Sequence, residues 1–241
     1  VRACVRVDGA YVRPDGKPIV RYRTRYHFFA GLSLIKIINE FRVVGSTRGM
    51  KFREIGLRLA WPDSTRHRSI VVDADGREDN QLTTIQWRDE TRSVTSFQGT
   101  FRHFGNQQSY AGVAERDSAG EQIISRSDRV GEWLQVRSDR VNVTGSLRWM
   151  WQQFPKAWQA TPAHLTLHLW SPRGGELDFG ADGIRKFLGA AGRDYLLQWR
   201  KQQRQPLNPV SRFFYYAGQD ALDRGDVDGI GINKHHEIWL H

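Results

Sequence analysis

The sequence predicts an all-β fold, a large antiparallel β-sandwich carrying one or two short helices. Apolar and polar residues alternate with a period of two over most of the chain, as strands with one buried face require. Clusters of Gly, Asp and Pro, such as Arg13-Pro-Asp-Gly16 and Asp73-Ala-Asp-Gly76, interrupt that alternation at short intervals and supply turns. Helical periods are few. With 9 Trp, 12 Phe and 7 Tyr, and 39% hydrophobic residues overall, the 241-residue chain can bury a substantial core.

In chain order, strands are expected at residues 4–7, 19–29, 34–44 and 51–61, then at 69–72, 82–87 and 93–98. Gly45-Ser-Thr-Arg-Gly49 and Pro62-Asp-Ser64 are the turns between them. The polar stretch 105–131 is expected as a long excursion over a binding face, since long loops in compact domains usually carry function or move. Alternation resumes at 133–138, 142–149, 165–170, 177–179, 195–199 and 231–240. Helix is expected at 151–159, with a helical turn near 219–224. Roughly a dozen strands without an internal repeat or linker suit two packed sheets.

The formal net charge is +10, built from 29 Arg and 7 Lys against 26 acidic residues. Such a field favours an anionic partner. The arginines are spread along the chain without a block or basic tail, which disfavours nucleic acid and leaves an acidic polysaccharide as partner, or simply solubility, as the reading of the charge. No apolar run approaches a membrane span, so no membrane partner is expected. Cys4 stands alone, which excludes an internal disulfide and leaves the compartment open. The chain begins at Val1 without an initiator Met and stops within an alternating run, so a piece cut from a larger protein is expected.

Several clusters could carry chemistry. Arg21, Arg23, Arg25 and His27 alternate with Tyr22, Thr24, Tyr26 and Phe28. That gives a cationic face able to grip carboxylates, or simply a solvated face over a buried aromatic one, and the second reading is preferred. His164 and His168 lie on the strand face opposite Leu165, Leu167 and Leu169, and are expected as structural or surface histidines rather than metal ligands. No metal or cofactor is expected elsewhere. Arg148-Trp-Met-Trp151-Gln152-Gln153-Phe154-Pro155-Lys156 combines aromatics, amides and cations, a set suited to a sugar and equally to a structural corner. Within Phe213-Phe-Tyr215-Tyr216, a buried aromatic corner is the default, although a tyrosine beside arginines can abstract a proton. In the last strand, Ile230, Ile232, Lys234, His236, Ile238 and Leu240 share one parity, while His235 and Glu237 face the other way. Polar groups within an apolar row are costly to bury unless paired or used.

Two of these segments, Trp151-Gln-Gln-Phe-Pro155 and Gly231-Ile-Asn-Lys-His-His-Glu237, resemble motifs of the exo-acting rhamnogalacturonan lyases and the YetA-like bacterial proteins grouped with them. The opening run 1–7 is similar to the start of that family's central sandwich. Lys234, His236 and Glu237 match a Gly-x-x-Lys-Thr-His-Glu pattern, with His235 standing where Thr is typical. The resemblance implies that residues 1–241 are one central sandwich, supersandwich-like and galactose-mutarotase-like. An N-terminal barrel and a C-terminal α/α toroid would lie outside the chain, the toroid packing against this domain. It also implies a bacterial, secreted (extracellular or periplasmic) polysaccharide lyase of pectin degradation.

Such an enzyme cleaves a uronate-containing glycan by β-elimination. It needs a group that neutralises the carboxylate, a base for the C5 proton and an acid for the leaving oxygen. Lys234, His236 and Tyr216 are the apt catalytic candidates, with Arg148, Trp151, Gln152, His235 and Glu237 as candidates for substrate binding. The domain is expected to form one wall of the cleft and to be inactive alone. The competing expectation is a non-catalytic carbohydrate-binding or structural sandwich, in which Lys234, His236 and Glu237 form a buried hydrogen-bonded cluster. Geometry discriminates the two. Side chains sealed under a sheet favour the binding module, and side chains opening into a groove with Trp151 and Arg148 favour the lyase.

Overall fold

The computed structural model describes residues 2–61, 66–74, 82–100, 110–153, 155–178 and 231–241. Their strands are β1 (Arg2–Val12), β2 (Pro18–Phe29), β3 (Ile35–Val43), β4 (Lys51–Phe52), β5 (Ile55–Ala60), β6 (His67–Asp73), β7 (Leu82–Gln86) and β8 (Ser93–Thr100). They continue with β9 (Tyr110–Arg116), β10 (Glu121–Ser127), β11 (Trp133–Ser138), β12 (Asn142–Leu147), β13 (Lys156–Ala160), β14 (His164–Trp170), β15 (Leu177–Asp178) and β16 (Asn233–Leu240). An eight-stranded sheet in the order β1-β2-β3-β16-β12-β11-β6-β7 faces a six-stranded sheet in the order β10-β9-β8-β13-β14-β5. Both are antiparallel throughout, and β15 pairs with β4 in a small separate ribbon. The chain is an all-β sandwich, as the period-two alternation predicts.

One core joins the sheets. Ile70, Leu134, Leu147 and Ile238 of the larger sheet meet Val94, Val113, Trp158, Leu165 and Leu167 of the smaller, and Met150 closes one end. Burial of each such side chain contributes roughly 1.5–3 kcal/mol. Gly145 on β12 makes the close approach possible, because a Cβ there would lie 2.7 Å from the Trp158 ring. A second cluster of Ile19, Val20, Phe41 and Val43 fills the end near Ile232. The larger sheet overhangs the smaller at β1, whose residues are exposed on both faces apart from a half-buried Gly9. Under the neighbouring part of the overhang lies a cavity of about 220 Å³, lined by Tyr11, Tyr22, Tyr26, Thr24, Asn39 and Phe41 among others.

The structure corrects four sequence expectations. The helix expected at 151–159 is absent: 148–153 are turns, and β13 is a central strand between β8 and β14. Lys156, Ala157, Trp158 and Ala160 are all buried, so both faces of β13 are covered and alternation disappears. The expected excursion 105–131 instead contains the β9–β10 hairpin, whose turn is tied by Asp117 Oδ1 accepting the Ala119 and Gly120 N–H groups. Polar composition is what an edge strand such as β10 carries. The strand expected at 51–61 is split, Phe52 pairing with Leu177 in the ribbon and Ile55 onward joining the six-stranded sheet. The strand expected at 142–149 stops at Leu147. The only helical piece among the described residues is a single 3-10 turn, Pro172–Gly174. The expected strand 195–199, the helical turn 219–224 and the Phe213–Tyr216 cluster lie outside the described residues.

Candidate functional site

Strand β16 divides its own motif between two faces. Pairing with β3 places His236 opposite Asn39 and Ile238 opposite Ile37 on the inner face, and His235 opposite Glu40 and Trp239 opposite Lys36 on the outer. His236 is 1% exposed and packs on Phe41, ring centroids 5.8 Å apart, whereas Lys234 of the same parity is exposed. Its Nε2 lies 3.1 Å from Nζ of Lys156, a buried lysine reaching across from β13 that also donates to the Leu169 carbonyl. Desolvation, reinforced by Lys234, pushes the Lys156 ammonium down to about 7. Desolvation and the facing Lys156 push His236 down to about 2. The imidazole is therefore neutral at any ordinary pH and sealed from a sugar.

The outer face holds a different group of residues. The Glu237 carboxylate receives Lys36 Nζ at 3.1 Å, Trp239 Nε1 at 3.0 Å and Arg148 Nη1 at 3.6 Å. Burial alone would raise its pKa, but Lys36, Trp239 and Arg148 together hold it below the ordinary value. Lys36 Nζ sits 4.8 Å from the centre of the Trp239 ring, and Phe29 stacks on the same indole at 6.5 Å. Arg148 lays its guanidinium 4.3 Å over Trp149. Trp149 is 49% exposed and occupies the left-handed region at φ 60°, which side chains other than Gly rarely adopt. Glu132 Oε1 pins it by accepting its N–H at 2.7 Å. Strain of this kind, about 1–3 kcal/mol, persists where surrounding contacts over-determine it, and it clusters at ligand sites.

The residues expected at the site are thus only partly brought together. Arg148 and Glu237 meet on the outer face. His235 Nδ1 lies 3.6 Å from Glu40 two residues along the same face, and Gln152 is exposed in the turn. Trp151 is half-buried with the Arg129 guanidinium 5.6 Å from its ring centre. Tyr216 lies outside the described residues. Sequence reading missed Lys36 and Trp239, while Trp149 and Lys156 lay within the segment 148–156 singled out as suited to a sugar, though not among the candidate site residues. Parity could have placed Trp239 beside Glu237, but Lys36 and Lys156 arrive through long-range register.

The arginine strand behaves as a solvated outer face. Arg23 pairs with Asp8 at 2.8 Å and Arg25 with Glu40 at 2.9 Å. Two members depart from the expected division, Phe28 being 39% exposed under the overhang and His27 only 8% exposed on the cationic face. His168 Nδ1 stands 3.1 Å from Glu54 on the face away from the core leucines. Among the described residues no group of three or more His, Cys, Asp or Glu is placed to hold a metal ion. Nor is any helix there long and apolar enough to cross a membrane. No protein-family model and no curated protein matches the chain.

Proposed function

We propose that this sandwich is a non-catalytic carbohydrate-binding module that holds an acidic, uronate-containing glycan of the rhamnogalacturonan type on the outer face of its larger sheet. The observation that carries the reading is Trp149, an exposed indole kept in a strained backbone and capped by Arg148, linked through Glu237 to Lys36 and Trp239. A pyranose offers an apolar face to an indole and a hydroxyl rim to the groups around it, and a uronate adds a carboxylate for the guanidinium or ammonium.

The same geometry weighs against a β-elimination centre built from Lys234, His236 and Glu237. Base, acid and carboxylate-neutralising cation must converge on one sugar. Here His236 is sealed between the sheets, and Glu237 and Arg148 lie on the other side of β16. In a longer lyase of the family it resembles, the outer face would present substrate to chemistry housed elsewhere.

Affinity electrophoresis through gels containing polygalacturonate or neutral dextran tests the reading. Polygalacturonate is expected to retard the protein, dextran to leave it unretarded, and W149A to weaken retardation by about tenfold, the loss of one stacking contact. Equal retardation by both polymers, or a W149A variant that binds like wild type, overturns it. Release of unsaturated uronide by the wild-type chain would restore the catalytic reading.

A further inference from the structure

Several cations of the outer face are matched by acids. Asp8 accepts from Arg23 at 2.8 Å and also from Arg6, while Glu40 accepts from Arg25 at 2.9 Å and has His235 Nδ1 at 3.6 Å. Arg6 stands directly opposite Arg25 across β1 and β2, and each of the two has one of these carboxylates. Another opposed pair differs. Arg21 of β2 stands directly opposite Arg42 of β3, in a cross-strand row completed by Ala10 of β1 and Asn233 of β16. All four residues are exposed, so both guanidiniums are open to solvent. Neither Arg21 nor Arg42 has a hydrogen bond or an ion pair among the described residues. Asp8 and Glu40 lie in the adjacent row, on either side of Arg23, yet both are taken by other cations. Like charges directly opposite one another weaken a strand pair, and here no side chain offsets them.

We infer that Arg21 and Arg42 form a carboxylate subsite at one end of this face, taking a uronate of the same glycan chain that is held at Trp149. The inference rests on the acidic-glycan reading above and deepens it, because the face then recognises a run of uronates rather than a single sugar. Each guanidinium presents a planar fork that matches the two oxygens of a carboxylate, and a carboxylate between two forks relieves their repulsion. Lys36, beside Trp239, and Arg42 share one side of β3, about 20 Å apart at about 3.4 Å per residue. That span holds several pyranose rings, so a polymer reaches both ends and a disaccharide only one. Between them Ile38 is half-buried and Glu40 is neutralised by Arg25. Engaging both ends with one chain multiplies the affinity of either alone.

The test is the dissociation constant, by calorimetry, of polygalacturonate, digalacturonate and fully methyl-esterified polygalacturonate for wild type, the double variant R21Q/R42Q and W149A. The double variant is expected to bind polygalacturonate about tenfold more weakly, with a shallower dependence on salt. It is expected to match wild type on digalacturonate, which is too short, and on the esterified polymer, which keeps the sugars without the charge. W149A is expected to weaken all three. R42E supplies the missing counter-charge from within the sheet, so it should pair with Arg21, raise the thermal midpoint above wild type and lose polygalacturonate as the double variant does. If R21Q/R42Q binds polygalacturonate like wild type while W149A is weakened, the subsite is overturned and the binding face stands. Equal weakening of the esterified polymer by R21Q/R42Q overturns the carboxylate assignment. A lower thermal midpoint for R42E overturns the uncompensated pair on which the subsite rests. If wild type binds none of the three, the subsite and the acidic-glycan reading fall together.

Discussion

Lys156 and His236 face one another across the sandwich, Nζ to Nε2 at 3.1 Å, each almost wholly withdrawn from water. Neither forms an ion pair with a carboxylate among the described residues, and His236 Nδ1 has no partner. Between the sheets the imidazole is held neutral, and the Lys156 ammonium, lowered to about 7, stands near its midpoint at neutral pH.

The pair makes stability depend on pH with a definite sign. An unfolded lysine keeps its proton to about pH 10.5 and the folded Lys156 releases it near 7, so the unfolded chain binds more protons between those values. Stability climbs with pH across that window, and the penalty is fully present below 7. His236 acts in the same direction between about 2 and 6.5. Lys156→Met is expected to raise the urea midpoint at about pH 6 by the equivalent of a few kcal/mol, offset in part by the orphaned His236 Nε2, and to flatten the rise toward about pH 10. A midpoint that falls equally at both pH values would show that the lysine stabilises the sandwich.

Trp149 predicts a separation of stability from binding. Glycine accepts φ 60° without cost, whereas alanine retains the strain. W149G is expected to unfold about 1 kcal/mol later than W149A in chemical denaturation, while both lose glycan retention to the same degree. Equal stability of the two variants would mean that the turn relaxes once the indole is gone.

Glu237 is expected to act as a brake on the binding face. It occupies Lys36 and Arg148, both candidates for a glycan carboxylate. Glu237→Gln frees them, so polygalacturonate should bind several-fold tighter at low salt, with a steeper decline as salt is added. Weaker binding by this variant would show that the carboxylate positions the cations for the sugar.

Gly145 holds the spacing of the two sheets at Trp158. A Gly145→Ala methyl would meet the indole at 2.7 Å and at further ring atoms near 3.0 Å. The expected cost is about 1–3 kcal/mol, read as a lower thermal midpoint and an altered Trp fluorescence spectrum. An unchanged midpoint would mean that the sheets separate without loss.

Much of the fold was legible because half-buried strands repeat every two residues. The strand expected at 133–138 coincides with β11, and the parity assigned to His236 and Ile238 is the observed one. Where burial is two-sided, as at Ala157 and Trp158, the period vanishes and a strand reads as a helix. The β9–β10 hairpin was hidden by the polarity proper to an edge. The site was harder to read. Lys36 meets Glu237 and Lys156 meets His236 only because distant strands pair or pack in a particular register, and no local pattern encodes that.

The overhang of β1 sets the order in which the molecule comes apart. Val5, Val7, Tyr11 and Val12 are each more than two-fifths exposed, and among the described residues this strand is held to β2 by its backbone ladder, the Asp8–Arg23 ion pair and the Tyr11–Tyr22 ring contact. Its amides should exchange with deuterium through local fraying, at a far lower opening free energy than those of β13, which are released only when the whole sandwich unfolds. Because Asp8 rides on that loose edge, the carboxylate that occupies Arg23 belongs to the least cooperative part of the protein. A ligand bridging β1 to β3 would slow exchange there first.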